Sequence, residues 1–266
     1  MNTPRSSSGP VRPRRAMVLA AGLGVRMRPI TERIPKPLIT IGGYTLLDRI
    51  LDRLGAAGVA DVVVNAYHLA PLIARHVGQR LSPRIHLSVE STLLETGGGI
   101  VNDLPLLGAA PFYAVNGDVL WQDGPVPALA ALADAWDPRT MDALLLLHPV
   151  ATALGYRGRG DFHLHDDGRL ARRDGDGDDD AAYLFAGLQI LHPRLFANPP
   201  APPFSLNVLF DRALAEGRLH GVVNSGGWCH VSTPEDIAPA EAFVQRWVAC
   251  RTGGPPAGGV GAGECV

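Results

Sequence analysis

From residue 16 onward, short aliphatic and β-branched runs alternate with longer stretches whose apolar positions recur every three or four residues. AMVLAA (16–21) is strand-like, YTLLDRILDRLGAAG (44–58) places Leu46, Leu47, Ile50, Leu51 and Leu54 at helical spacing, and DVVVNAY (61–67) returns to strand. The alternation continues as helix in HLAPLIARHVG (68–78), strand in RIHLSVE (84–90), short helix in GGIVNDLPLLG (98–108), strand in PFYAVNGD (111–118), helix in PVPALAALADAW (125–136) and strand in MDALLLLHPV (141–150). This order predicts an α/β fold with a doubly wound, mostly parallel sheet and helices on both faces. Ligands of such sheets bind beyond the carboxyl ends of the strands, which selects the loops starting at Gly22, Asn65, Glu90 and Asn116.

After residue 150 the texture changes to short strands (161–167, 169–174 and 181–192), a helix (205–217), a strand (219–225) and a final helix (234–250). This half is expected to add antiparallel strands to the same sheet and close over the ligand. The polar N-terminal segment (1–15) and the Gly-rich tail (250–266) lack apolar periodicity and read as disordered ends flanking one domain, 16–249. The acidic run DGDGDDD (174–180) lacks the later bidentate Glu of a calcium loop and reads as a solvated loop.

A net charge of -2 in 266 residues provides no basic field for nucleic acid, and no apolar run approaches the ~20 residues of a membrane span. Without a signal-peptide pattern the expectation is a cytoplasmic protein, monomeric or a small homo-oligomer. Cys229, Cys250 and Cys265 show no metal or disulfide spacing. Among 24 basic residues a single lysine, Lys36, stands against 23 arginines. A bias toward GC-rich codons explains the arginines but leaves Lys36 as a position where a compact ammonium is required.

Lys36 lies in LAAGLGVRMRPITERIPKPL (19–38). Here a strand runs through Leu19 and Ala20 into Gly22 and Gly24, small enough for backbone N–H groups to approach an anion, and Arg26, Arg28 and Lys36 follow. Pro35 and Pro37 fix the backbone on either side of the lysine. Met27 occupies the third glycine position of a dinucleotide fingerprint, which disfavours a nicotinamide-dependent oxidoreductase, and no G-K-[ST] follows as in a Walker loop. Asp118, at the end of YAVNGD, is a hard oxygen donor suited to Mg2+.

L-A-A-G-x-G-x-R-M-x-P followed by P-K-P-L resembles the signature of the sugar-1-phosphate nucleotidyltransferases, and the likeness continues through LLETGGG (93–99), VNGD (115–118) and WCHVSTPED (228–236). Within that family LETGGGI, VNGD and RGDF (159–162) look most like the N-acetylmuramate 1-phosphate uridylyltransferases, with mannose-1-phosphate guanylyltransferases as neighbours. The resemblance implies a Rossmann-like nucleotide half and a sugar-binding half, with a nucleoside triphosphate and a sugar 1-phosphate as partners. It implies Arg26 on the leaving phosphates, Lys36 near the α-phosphate, and nucleotide contacts from Leu19, Ala20, Gly22, Gly24, Glu90, Gly97, Gly98 and Asn116. Arg159, Asp161, Gly187 and Asn207 become candidates for the sugar side. His230 stands where relatives carry a second metal-binding Asp, so Asp118 alone or with His230 would hold Mg2+, or Mn2+, which suits imidazole better. A nucleotide-sugar-binding regulator without turnover is the alternative that His230 leaves open.

Overall fold

The computed structural model describes residues 12–173 and 180–252. Most of the acidic run, the first eleven residues and the Gly-rich tail beyond 252 lie outside them. The elements in chain order are β1 (Arg15–Leu19), β2 (Thr40–Ile41), β3 (Tyr44–Thr45), α1 (Leu46–Ala56), β4 (Asp61–Ala66), α2 (Ala70–Val77), β5 (Arg84–Val89), α3 (Glu95–Leu107), β6 (Phe112–Asn116), β7 (Leu120–Trp121) and α4 (Ala128–Ala135). They are followed by β8 (Ala143–Pro149), β9 (Phe162–Leu164), β10 (Leu170–Arg172), β11 (Tyr183–Leu191), α5 (Asn207–Ala215), β12 (Leu219–Val223), β13 (Trp228–Cys229) and α6 (Ile237–Thr252). The first strand starts at Arg15 and the last helix reaches Thr252, slightly outside the domain limits read from periodicity.

β5, β4, β1 and β6 lie side by side and parallel, Leu19 being level with Asn65 on one side and Asn116 on the other. All three residues therefore reach the carboxyl edge together. β11 runs antiparallel to both β6 and β8, and its register shifts between Phe185 and Gln189, around Gly187 at φ 84°. The β9–β10 hairpin joins through Phe162 opposite Tyr183. One expectation needs correcting: β12 pairs parallel with β8, so the second half is mixed, β11 and the hairpin adding antiparallel strands to the main sheet.

Strand alternation sorts the core into two layers. Ala16 and Val18 pack with Leu47, Ile50 and Leu54 of α1, Ile73 of α2 and Leu132 of α4, whereas Met17 faces Ile100 of α3 and Phe210 of α5. α1 starts at a cap in which Thr45 Oγ1 accepts from Asp48 N at 3.0 Å. A third cluster joins Met27, Ile41, Leu120, Cys229 and Val231 to Phe243 of α6, so the last helix clamps the loops that follow β1 and β6. The β2–β3 and β7–β13 ribbons, two residues per strand, are too short to show periodicity and escape sequence reading. Among the described residues no helix is long and apolar enough to cross a membrane.

Candidate active site

A cleft of about 430 Å³ opens over the carboxyl ends of β1 and β6. Its first wall is the loop after β1. Gly24 takes φ 60° at the entry to a 3-10 turn, Val25–Met27, and its carbonyl accepts from Met27 N at 2.9 Å and Thr31 Oγ1 at 2.8 Å. A Cβ on Gly24 would lie 2.8 Å from Thr31 Cγ2, so glycine is needed for both conformation and space. Gly22 differs, since a Cβ there would meet no protein atom within 4 Å. No acceptor among the described residues takes up the N–H groups of Ala21 through Arg26. The loop is a row of donors facing an open cleft, an arrangement that suits an anion.

Lys36 opens the third 3-10 turn after β1, Lys36–Leu38, with buried proline on both sides. Its Nζ donates to Asp118 Oδ2 at 2.6 Å across 82 residues of sequence, the lysine side chain being 11% exposed and the carboxylate 42%. Asp118 reaches this position because Gly117 lets the end of β6 press against β1. Gly117 N donates to Leu19 O at 2.9 Å, and a Cβ on Gly117 would stand 2.7 Å from that carbonyl oxygen. Arg26 is exposed on the same cleft and forms no ion pair among the described residues.

Beneath the cleft floor runs a buried polar relay. Ala20 N donates to Asn65 Oδ1 at 2.7 Å, Asn65 Nδ2 to Glu90 Oε1 at 2.7 Å, and Leu94 N to Glu90 Oε2 at 3.0 Å. It ties the loop after β1, the end of β4 and the loop after β5 into one support. Glu90, expected as a nucleotide contact, braces these segments in the ligand-free protein through one hydrogen bond to each carboxylate oxygen.

Gly97 and Gly98, expected as nucleotide contacts, lie behind the cleft wall. Both N–H groups donate to Phe204 O, at 3.0 and 3.2 Å, and both residues are buried away from the cleft. A Cβ on Gly97 would sit 2.3 Å from the Phe204 ring and one on Gly98 3.1 Å from Pro202. These glycines admit the 202–204 loop. Leu93, Glu95 and Thr96 line this end of the cleft instead, with Glu95 in the left-handed region at φ 63° and Thr96 Oγ1 accepting from Leu206 N at 2.8 Å.

Leu19, Ala20, Gly22, Gly24, Arg26, Lys36, Asn116 and Asp118 thus share one cleft. The candidates for the sugar side do not line it. Arg159 pairs with Asp180 at 2.5 Å, Asp161 Oδ2 accepts from Phe185 N at 2.8 Å, Asn207 Oδ1 accepts from Arg172 at 3.3 Å, and a Cβ on Gly187 would lie 3.3 Å from Asn116 Nδ2. His230 stands beside the cleft, its ring 5.7 Å from that of Trp228 and 6.2 Å from that of Tyr156. Burial first, then the nearby Lys36 ammonium, holds its pKa below the usual histidine value. Cys229 is inert, burial pushing its thiol up to about 12. Sequence reading missed Gly117, the side-chain role of Asn65, Leu93, Glu95, Thr96 and Ser232. For Gly117 and Asn65 the signal existed, a glycine and an amide at strand ends facing the same edge.

Among the described residues no three metal-binding side chains cluster. Asp118 Oδ1 nonetheless has no hydrogen-bond partner there, while Oδ2 is held by Lys36. That donor set fits a hard cation taking most of its ligands from phosphates and water.

An open, mostly parallel sheet with unpaired N–H groups, a lysine and a carboxylate at its carboxyl edge defines a nucleotide-phosphate-handling α/β protein. The family model described as nucleotidyl transferase matches residues 15–157, and the chain belongs to that family. It is 43% identical to the N-acetylmuramate alpha-1-phosphate uridylyltransferase of Caulobacter vibrioides, over 86% of this chain and 96% of that one. It is 30% identical to the enzyme of the same name from Neisseria meningitidis serogroup B, over 88% and 99%. The fold superposes on the inositol-1-phosphate CTP transferase of T. maritima with a TM-score of 0.69 and 18% identity, covering 84% of this chain and 91% of that one.

Proposed function

We propose that the protein transfers the uridylyl group of UTP to N-acetylmuramate α-1-phosphate, giving UDP-N-acetylmuramate and pyrophosphate in the cytoplasmic reuse of a cell-wall sugar. The observation that carries the reading is the Lys36–Asp118 pair opposite a loop of uncommitted N–H groups. The uridylyltransferases similar to this chain over nearly their whole length support the choice of substrates.

In this reaction an oxygen of the sugar phosphate attacks the α-phosphorus of UTP in line. The new O–P bond forms as the bond to the β-phosphate's bridging oxygen breaks, and the electron pair leaves with pyrophosphate. The attacking phosphate is already anionic, so the protein's task is to bring two polyanions together and hold them aligned. Lys36 neutralises charge at the α-phosphate, Arg26 and the N–H groups of Gly22–Arg26 hold the leaving phosphates, and Leu93–Thr96 borders the base. Asp118, with His230 the second candidate, would hold Mg2+, whose chemistry there would be further neutralisation of the phosphate oxygens.

Pyrophosphate release tests the substrates, with UTP and GTP each offered with N-acetylmuramate, mannose and glucose 1-phosphates in the presence of Mg2+. Fast release is expected with UTP and the muramate. Preferential use of GTP and mannose 1-phosphate would replace the substrate assignment.

A further inference from the structure

Among the described residues on the cleft wall, Ser232 alone combines near-complete burial, 3% exposed, with a side-chain oxygen that meets no hydrogen-bond partner. Its backbone is rigidly held. Ser232 N and Thr233 N both donate to Asp236 Oδ2 at 2.8 Å, in the cap of the 3-10 turn Pro234–Asp236, and the preceding Val231 is buried in the third core cluster. The hydroxyl can rotate about its own bond, but the residue cannot swing away to find solvent.

A buried hydroxyl without a partner weakens a fold, and such groups are few in native structures unless something absent from the free protein satisfies them. The position points to what that is. The ring two residues earlier, His230, feels Lys36, Asp236, Arg26 and Asp118. Ser232 lines the same cleft as Arg26, Lys36 and the Gly22–Gly24 loop, the cations and backbone donors that a phosphate needs. Phosphate oxygens at neutral pH accept and do not donate, and a hydroxyl offers them a directional donor without further charge.

We infer that Ser232 is a substrate-contacting residue whose hydroxyl donates to a phosphate oxygen of the bound nucleoside triphosphate, opposite Lys36 and the Gly22–Arg26 loop. The inference rests on the proposed function only in placing a nucleotide in this cleft; it is independent of the sugar.

Ser232→Ala separates this role from a structural one. In the ligand-free protein the variant should melt at or above the wild-type temperature, because it removes an unsatisfied group. Its affinity for UTP with Mg2+, measured by titration calorimetry, should fall about 5- to 20-fold. A lowered melting temperature would mean that the hydroxyl already has a protein partner, and would overturn the inference. Unchanged UTP affinity would overturn it too; if the KM for the sugar phosphate rises instead, the contact belongs to the second substrate. Wild-type protein that binds UTP but releases no pyrophosphate with any sugar phosphate would defeat the proposed function, while the UTP comparison would still decide the role of Ser232.

Discussion

Lys36 shows how one side chain can matter more for chemistry than for stability. Its pair with Asp118 is short but the carboxylate is substantially exposed, so water screens much of the attraction and the bond adds at most about 1 kcal/mol to folding. In the proposed reaction the same ammonium would face charge developing on a phosphate inside a cleft, where a preorganised donor is worth a factor of ~10² or more. Lys36→Ala is therefore expected to lose at least ~100-fold in kcat while its melting temperature moves by less than about 4 °C. A steady-state assay paired with a thermal melt checks both numbers, and a variant retaining wild-type kcat would remove Lys36 from the reaction. The lysine was legible in the sequence because it is the chain's only one and sits between two prolines. Its partner was legible only as a carboxylate at a strand end, since nothing local in the sequence links residue 36 to residue 118.

At the scale of elements, the glycines of the cleft loops divide by what surrounds them. Gly22 has open space where a side chain would be, whereas Gly97 has the Phe204 ring. Gly22→Ala should leave folding within about 0.5 kcal/mol of wild type and weaken UTP binding. Gly97→Ala should destabilise by about 1–3 kcal/mol through overpacking, with loss of nucleotide affinity following from disturbance of the start of α3. Denaturant unfolding and UTP titration of the two variants compare these effects. A Gly97 variant of full stability and impaired binding would restore that residue to the nucleotide site. Helix and strand order was readable because long amphipathic runs carry their own periodicity. The role of LETGGG was not, because a glycine reports that something comes close and not what it is. Here the neighbour is a loop more than a hundred residues away, fastened by Thr96 to Leu206. The Asn65–Glu90 relay was hidden for the same reason, its donors and acceptors being drawn from the end of β4 and the loops after β1 and β5.

For the whole molecule, burial sets the response to acid. His148, His192, His220 and His230 all have pKa values held below the histidine reference, in each case with desolvation as the leading cause. The unfolded chain therefore binds more protons than the folded one as pH falls below about 6.5, and stability declines in that direction. Above that value the four groups are neutral in both states and contribute no pH dependence. Melting temperature should hold steady from pH 8 to 7 and then fall between pH 6.5 and 5, by roughly 2–4 °C for each ~1 kcal/mol lost. A melting temperature that rises on acidification through this range would show that these rings are charged in the folded protein. The two sheet faces, the third cluster under α6 and the mixed second half together hold the cleft loops at one edge, and it is this assembly that turns scattered motifs into a site.

The central claim is that this site acts at the α-phosphorus of the nucleotide. Parallel reactions with UTP labelled at the α- or the γ-phosphate, each with N-acetylmuramate 1-phosphate, test it directly. Attack at the α-phosphorus puts the α-label in the nucleotide sugar and the γ-label in pyrophosphate. Transfer of the γ-label to the sugar, or release of either label as inorganic phosphate with no nucleotide sugar formed, would contradict it.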